Sequence, residues 1–452
     1  MAAVDVYSRR EQTDDAWMNV AACRGLTEIF FPPIAERPQS RLRREAMART
    51  VCAECAVLET CKTFARENHE YGFGVGKLKR NVMKPATGSS PQSEFATSIA
   101  SSKRVANDAQ YIVRAAWLDY GDVRQIIAID EVSAHVSTNR VFRATLDDGS
   151  QVVCKVSSYG SYFLFVEDHD RLFKCQRLLA NTRWSSFLAT ILSKDGRVYT
   201  WYDESCWAVF YVDVERGEQL PKILTDDDVR KLATEIAEFH QACSSIAPQL
   251  APTSNSIKGD AIHFLDQLEQ TKSSEVFGLS QADISTVRRS THQFLVELEN
   301  ITFDDWPKIP ILLDWNLGNF SVQRDTSNGF QLMSRWDYDW FRIDTRLLDF
   351  YFFSRVSSKT GDKTSFTYSP HTLLEPKFLT FLKSYHSVNP LSEAELRFLP
   401  FAYRFFILNY VIRDGSKFFR SDLSAQFKQE AARIYLPQLD DFDAEPLLGI
   451  LD

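Results

Sequence analysis

The chain has 452 residues, 44% of them hydrophobic, with a formal net charge of −8 and a pI near 5.6. That length exceeds one small regulatory domain and points to two or three domains, while the acidic balance excludes a chain coated in positive charge for nucleic acid or membrane, so any such contact is local. No stretch approaches the roughly eighteen apolar residues of a membrane span, and the opening MAAVDVYSRREQTDD lacks the apolar core of a secretory signal; the expectation is a cytoplasmic protein without membrane contact, where clustered cysteines mean metal rather than structural disulfides.

In chain order, the first informative feature is a set of four cysteines. Cys52 and Cys55 form a C-x2-C pair, Cys61 follows after five residues, and Cys23 is a lone thiol upstream. Residues three and four apart share a helix face, so three of these thiolates can converge on one inorganic centre with Cys23 as the distant fourth. Four thiolates without a nearby histidine suit tetrahedral zinc or a cubane iron–sulfur cluster, and spacing does not choose between them. A redox-active dithiol and simple packing are the blander readings. Trp17, Phe30 and Phe31 precede the pair, followed by a basic, helix-favouring run from Arg37 to Arg49; such aromatics shield a centre from water or build a small core. After Cys61 come Phe64, Ala65 and Glu70, a turn Gly72-Phe73-Gly74-Val75-Gly76, and the basic residues Lys77, Lys79, Arg80 and Lys84. That tail is either a solvated charge run or a salt-sensitive contact to DNA phosphates that carries no base readout.

Over about residues 14 to 84 this order of features resembles the WhiB-like proteins of actinobacteria. The resemblance implies a small all-α iron–sulfur domain in which Cys23, Cys52, Cys55 and Cys61 ligate one [4Fe–4S] cluster sensitive to oxygen and nitric oxide. Loss of that cluster leaves thiols able to form a disulfide bond. It also implies a cytoplasmic transcription regulator acting with DNA and, often, with the principal sigma factor of RNA polymerase. One departure bears on the partner: the family's turn usually reads G-[VI]-W-G-G, and Gly74 stands where its tryptophan belongs, which puts sigma-factor docking through that turn in question.

From Asn81 to about Asn107 the composition turns to Ser, Ala, Thr and Pro, as in a flexible linker. The expected organisation is therefore a cluster domain over 1–84, a linker over 85–110, a strand-rich lobe over 111–215 and a helical lobe over 216–452. Arg124 to Glu131 and Val141 to Leu146 read as strands, Asp147-Asp148-Gly149 as a hairpin turn, and QVVCKVSS from Gln151 as the next strand. In that strand Val153 and Lys155 share one face, and Val152, Cys154 and Val156 the other. Taken alone, a mid-strand lysine points to solvent more readily than to a phosphate. A helix is expected from about Phe165 to Leu179 with Glu167 near its start, then an apolar strand over Trp207 to Val214. A further helix starts at a Thr225 cap, with Asp228 completing a capping box and Val229, Leu232, Ala233, Ile236 and Phe239 at helical spacing. His240 at its end reads as packed or capping rather than as a ligand.

The second constellation is ILLDWNLGNF over Ile311 to Phe320, followed by SRWDYDWFRIDTRLLDF from Ser334 to Phe350. A strand delivers Asp314, a short loop Asn319, and a second strand Asp337. Phosphoryl transfer from Mg–ATP needs one carboxylate to take the hydroxyl proton, an Asn and an Asp for magnesium, and an upstream lysine on the phosphates. This half, about residues 111 to 452, resembles the aminoglycoside phosphotransferase and choline kinase group, whose fold is the α+β bilobal protein-kinase fold. The resemblance implies that Lys155 contacts the nucleotide phosphates, that Glu167 pairs with it, that Asp314 is the catalytic base, and that Asn319 and Asp337 hold magnesium.

The group's loop usually begins H-G-D and continues L-H-x-G-N, whereas Leu312 and Leu313 precede Asp314 here and Asn316 replaces the second histidine. The loop SAHVSTNR has no glycine, though Ser137, Thr138 and Asn139 can donate to phosphates. An inactive kinase-like domain therefore competes with an active one. The aromatic segments after Asp349 read as a buried helical core, and Cys154, Cys175, Cys206 and Cys243 as ordinary packed thiols. The favoured whole is a redox-responsive transcription regulator with an appended kinase-fold domain. The alternative is a small-molecule phosphotransferase, using Mg and ATP on a small-molecule phosphate acceptor, that the cluster domain controls.

Overall fold

In the computed structural model the residues described are 20–22, 51–52, 55–61, 110–133, 139–158, 160–203, 206–254, 256–325, 329–361, 369–419 and 421–451. They belong to two units, Met1–Ser93 and Glu94–Asp452. Trp17, Cys23, Phe30, Phe31, Gly74, the basic residues Lys77, Lys79, Arg80 and Lys84, the run from Arg37 to Arg49, and Ser137 and Thr138 lie outside the described residues.

In the first unit Val51 and Cys52 are helical, the backbone turns at Ala56 and Val57, and residues 58–61 are helical again. The Cys55 amide donates to the Cys52 carbonyl (3.2 Å) and the Cys61 amide to the Val57 carbonyl (2.9 Å), and among the described residues the three cysteines do not by themselves form a metal-competent cluster.

In the second unit, helical residues 110–120 precede the strand-rich lobe. Its strands are β1 (Ile126–Glu131), β2 (Arg140–Leu146), β3 (Gln151–Ser157), β4 (Thr200–Asp203) and β5 (Cys206–Val212), with helix α1 (Tyr162–Leu179) between β3 and β4. They form one antiparallel sheet in the order β1-β2-β3-β5-β4. Gly149 at φ +83° supplies the left-handed residue of the β2–β3 turn, a conformation open to glycine at no steric cost. Alternation along β3 separates its faces. Val152, Cys154 and Val156 join Val113, Ala116, Trp117 and Phe210 in one apolar cluster, with the Trp117 and Phe210 rings edge-on at 5.3 Å. Lys155 takes the opposite face, in register with Val141 and Val209.

The second lobe is helical. Helix α2 (Asp226–Ile246) starts where Thr225 and Asp228 cap each other reciprocally, with Asp226, Asp227 and Asp228 in the first turn to complement the helix dipole. Its Val229, Leu232, Ala233, Ile236 and Phe239 are all buried, as the spacing requires. Helices α3 (Ile257–Leu268) and α4 (Gln281–Asn300) follow, then strands β6 (Ile309–Ile311), β7 (Phe320–Arg324), β8 (Phe330–Arg335) and β9 (Arg342–Asp344). These pair as two antiparallel ribbons, β6 with β9 and β7 with β8. Helices α5 (Phe350–Val356), α6 (Pro376–Val388) and α7 (Glu393–Phe406) come next, and later helical residues add Ile407, Ile412, Ala431 and Leu436 to the same core. Its aromatic density is packing: Tyr351 stacks on Phe406 at 3.5 Å, and Phe353 on Phe381 at 4.9 Å. Cys154, Cys175, Cys206 and Cys243 are buried thiols. Among the described residues no helix is long and apolar enough to cross a membrane.

Candidate functional site

Two separate constellations carry chemistry. In the first unit, Cys52 is buried and Cys55 and Cys61 are partly buried. The amide of Ala22 donates to Cys55 Sγ at 3.4 Å, which brings the residue just before Cys23 onto the C-x2-C pair although the two are 33 positions apart. An all-thiol donor set suits zinc or an iron–sulfur cluster, and an amide aimed at a ligating sulfur is one of the levers on cluster potential.

In the second unit, the loop leaving β6 carries Asp314, a tight 3₁₀ turn over Leu317–Asn319 carries Asn319, and the chain leaving β8 carries Asp337. These three come together. Asn319 Nδ2 donates to the Asp314 carbonyl (3.3 Å), and the Trp336 amide donates to the Asn319 carbonyl (3.0 Å), which ties the residue before Asp337 to the Asp314 loop. Leu313 and Asp337 both adopt left-handed backbone, at φ +58° and +66°. Such strain in side chains other than glycine persists only where the surroundings over-determine it, and it clusters at functional sites. Burial, helped by the charge of Asp337, pushes the Asp314 carboxyl up to about 6. Asn316 Nδ2 bonds Asp314 Oδ1 at 2.6 Å, so the residue in the expected histidine's place orients the carboxylate. The exposed Asp337 carboxylate and the Asn319 amide are hard oxygen donors of the kind magnesium takes.

Lys155 overturns the solvent-facing reading. It is 6% exposed, and burial holds its ammonium below the ordinary lysine value, opposed by Asp337. Its Nζ lies 3.8 Å from Asp337 Oδ1 and in contact with Asp339, which also accepts from Asn139 Nδ2 at 2.7 Å. A central strand with both faces covered leaves the lysine no route to water, so it meets carboxylates instead. Glu167 is not brought to Lys155. Its carboxylate pairs with Arg171 one turn along α1 (2.7 Å) and accepts from Ser254, a local partner that outcompetes a distant one. Asp339 takes the position at the lysine that the resemblance assigns to Glu167.

Two supports escaped sequence reasoning. Arg335, fully buried, sends Nη2 to the carbonyls of Asp314 (2.8 Å), Asp337 (3.3 Å) and Leu312 (3.5 Å), with its guanidinium 4.9 Å from the centre of the Trp315 ring. Asp349, also fully buried, accepts from the Leu313 amide (2.7 Å) and from His240 Nε2 (3.0 Å), and thereby fixes the strained residue before Asp314. His240 is packed, as expected, but as a link rather than a filler. The available signals were an arginine ending an apolar strand and an acidic residue opening an aromatic helix, and neither names its partner.

Residues 17–78 match the family model of the transcription factor WhiB. The redox- and pH-responsive transcriptional regulator WhiB3 of Mycobacterium tuberculosis is 35% identical over 75 residues, which are 16% of this chain and 74% of that protein. The transcriptional regulator WhiD of Streptomyces coelicolor is 40% identical over 62 residues, or 13% of this chain and 55% of WhiD. Among solved structures, that of the microcompartment-associated aminopropanol kinase matches at a TM-score of 0.53 and 17% identity, over 75% of this chain and 99% of that one. The second unit thus has a kinase-like fold, and at that identity the likeness is one of fold alone.

Proposed function

Because the chain belongs, through residues 17–78, to the WhiB family of transcription factors, we propose that it is a redox-responsive transcription regulator that joins a thiolate-held [4Fe–4S] cluster to a nucleotide-binding kinase-like unit. Cys23, Cys52, Cys55 and Cys61 would hold the cluster, and the observation that supports this is the Ala22 amide on Cys55 Sγ, which sets the residue preceding Cys23 in sequence against the C-x2-C pair. Once bound, the group supplies redox chemistry and lability toward oxygen and nitric oxide. The protein's own part is to present four thiolates and, after cluster loss, two or more thiols close enough to oxidise to disulfide. DNA is the expected partner of the cluster-free form, and Gly74 argues against a sigma factor docking through its turn. Iron and acid-labile sulfide are to be measured on anaerobically purified protein, beside Cys55→Ala and with promoter-fragment binding of both forms. Zinc without sulfide, or metal undiminished in the variant, defeats the cluster, and equal affinity for all DNA defeats the regulator.

A second reading, phosphoryl transfer, is supported by the meeting of Asp314, Asn319 and Asp337 around one turn with Lys155 within reach of Asp337. In it Asp314 would take the proton of an acceptor hydroxyl as that oxygen attacks the γ-phosphorus and the bond to the departing ADP breaks, while Asn319 and Asp337 would hold magnesium and Lys155 would turn from its carboxylate partners to the phosphates. Calorimetric titration with Mg–ATP tests it: saturable, magnesium-dependent heat that Asp337→Ala abolishes supports a working nucleotide site, and no heat at millimolar nucleotide removes it.

A further inference from the structure

The helical lobe contains a cleft of about 490 Å³ to which no residue of the Asp314 site contributes. Its volume is that of a small-molecule site. Its lining combines an apolar set, Trp306, Pro307 and Ile309, with a polar set, Arg346, Asn389 and Glu395, termed its polar wall. On the polar wall Arg346 and Glu395 meet fork to fork, Nε to Oε1 at 2.7 Å and Nη2 to Oε2 at 2.8 Å. Arg346 is held further by the Pro390 carbonyl (2.6 Å), and Glu395 by the Ser392 amide (2.8 Å), so neither side chain has rotamer freedom left to lose on binding.

A fixed cation beside a fixed anion selects its ligand by charge pattern. A lone carboxylate entering the cleft faces Glu395, and a lone ammonium faces Arg346; each gains one partner and meets one like charge. A zwitterion meets both, its carboxylate toward Arg346 and its ammonium toward Glu395, while an apolar side chain covers Trp306 and Pro307.

The polar wall is also wired to the Asp314 loop. Tyr385 Oη accepts from Arg346 Nη1 (3.5 Å) and Asn389 Nδ2 (3.2 Å), and donates to His240 Nδ1 (2.8 Å). That order fixes the imidazole as the tautomer whose Nε2–H donates to Asp349, which in turn accepts the amide of Leu313. Tyr385, His240 and Asp349 are all fully buried, so each bond in the chain lacks a competing water. A ligand that competes for the Arg346 Nη1 or Asn389 Nδ2 protons changes what Tyr385 accepts without moving either side chain far, and the change ends at the residue before Asp314.

We infer that this cleft is an effector site for a free amino acid with an apolar side chain, and that its occupancy alters the setting of the Leu313 amide. Neither half depends on the nucleotide reading, because both are measured without nucleotide. The full-length protein is titrated calorimetrically with L-phenylalanine and L-leucine, and with benzoate and phenethylamine as probes of one charge each. Hydrogen exchange is followed on the peptide over residues 311–317.

The amino acids are expected to bind saturably, and the single-charge probes about tenfold more weakly, since one charge-assisted hydrogen bond is worth that much. Binding is expected to be lost in Ala394→Trp, which adds bulk at an exposed lining position, and in Glu395→Gln, which keeps the shape of the side chain. Leu313 is expected to exchange at a changed rate in the bound state. Four outcomes overturn the inference: no heat from either amino acid at millimolar concentration, equal binding of benzoate, binding retained in Ala394→Trp, and, for the coupling, unchanged exchange at Leu313.

Discussion

Replacing Asp349 by asparagine keeps the volume of a fully buried side chain and removes its charge. Two N–H donors converge on the carboxylate, from Leu313 at 2.7 Å and from His240 at 3.0 Å. An amide offers one acceptor oxygen and two donors. If that oxygen keeps Leu313, the new NH₂ faces Nε2–H of His240. The imidazole can move its proton to Nδ1, but Nδ1–H then points at Tyr385 Oη, which already accepts from Arg346 and Asn389. At least one buried donor is therefore left unpaired, at about 1–3 kcal/mol, and part of this is recovered because no carboxylate has to be desolvated. The expected loss of unfolding free energy for the second unit is about 2 kcal/mol, with faster amide exchange at Leu313. Guanidinium unfolding of the full chain, analysed with separate transitions for the two units, gives the first quantity. Exchange mass spectrometry of the peptide over residues 311–317 gives the second. A loss below about 0.5 kcal/mol with unchanged exchange refutes the reasoning, since it means the amide found two donors' worth of acceptance.

Asp314 supplies a pH dependence whose sign is fixed. Its carboxyl titrates near 6 in the folded protein against an ordinary 3.8, so the native state takes up a proton first as pH falls. This carboxylate weakens the fold fully above pH 6 and not at all below about pH 4; Asp314→Asn is expected to be more stable than the parent at neutral pH and indistinguishable near pH 4, as read from magnesium-free denaturation midpoints. For the lysine, Glu167→Gln is expected to leave Mg–ATP affinity unchanged because Glu167 belongs to Arg171, while Asp339→Asn alters it; the opposite ranking by calorimetry would falsify the assignment of Asp339 as the partner of Lys155. Thr225→Ala removes one half of the reciprocal cap on α2 and is expected to cost about 1 kcal/mol in the same unfolding assay.

Local features of the second unit were legible in the residues because their causes are local. The β2–β3 hairpin follows from alternation and Asp147-Asp148-Gly149, and α2 from a capping box three residues long and a 3.6-residue apolar repeat. The closeness of Asp314 and Asn319 was legible for a related reason, since a short loop can offer a carboxylate and an amide together only at close spacing, whereas Lys155 and Asp337 were singled out by the family resemblance. What was hidden depends on contacts across long stretches of chain. Asp349 serves His240 across 109 positions, and Asn139 reaches Asp339 across 200. Glu167 shows the same limit from the other side, since its helix position suited Lys155 until Arg171, four residues on, competed for it. The burial of Lys155 likewise depended on the covering of both sheet faces, which one strand's alternation cannot report.

Arg335 ties together the two loops that carry Asp314 and Asp337. A guanidinium does not shed its proton, so wherever it is buried it is buried charged. Its Nη2 satisfies itself on the carbonyls of Leu312 and Asp314 from one loop and of Asp337 from another. Swinging either loop out strips part of that cage while the cation stays in an apolar setting against Trp315, so opening one loop carries a cost at a group that the other loop also serves. The two loops are therefore energetically coupled through one buried cation. A lesion in either loop then reaches the other through Arg335, without any contact between the altered side chain and the second carboxylate.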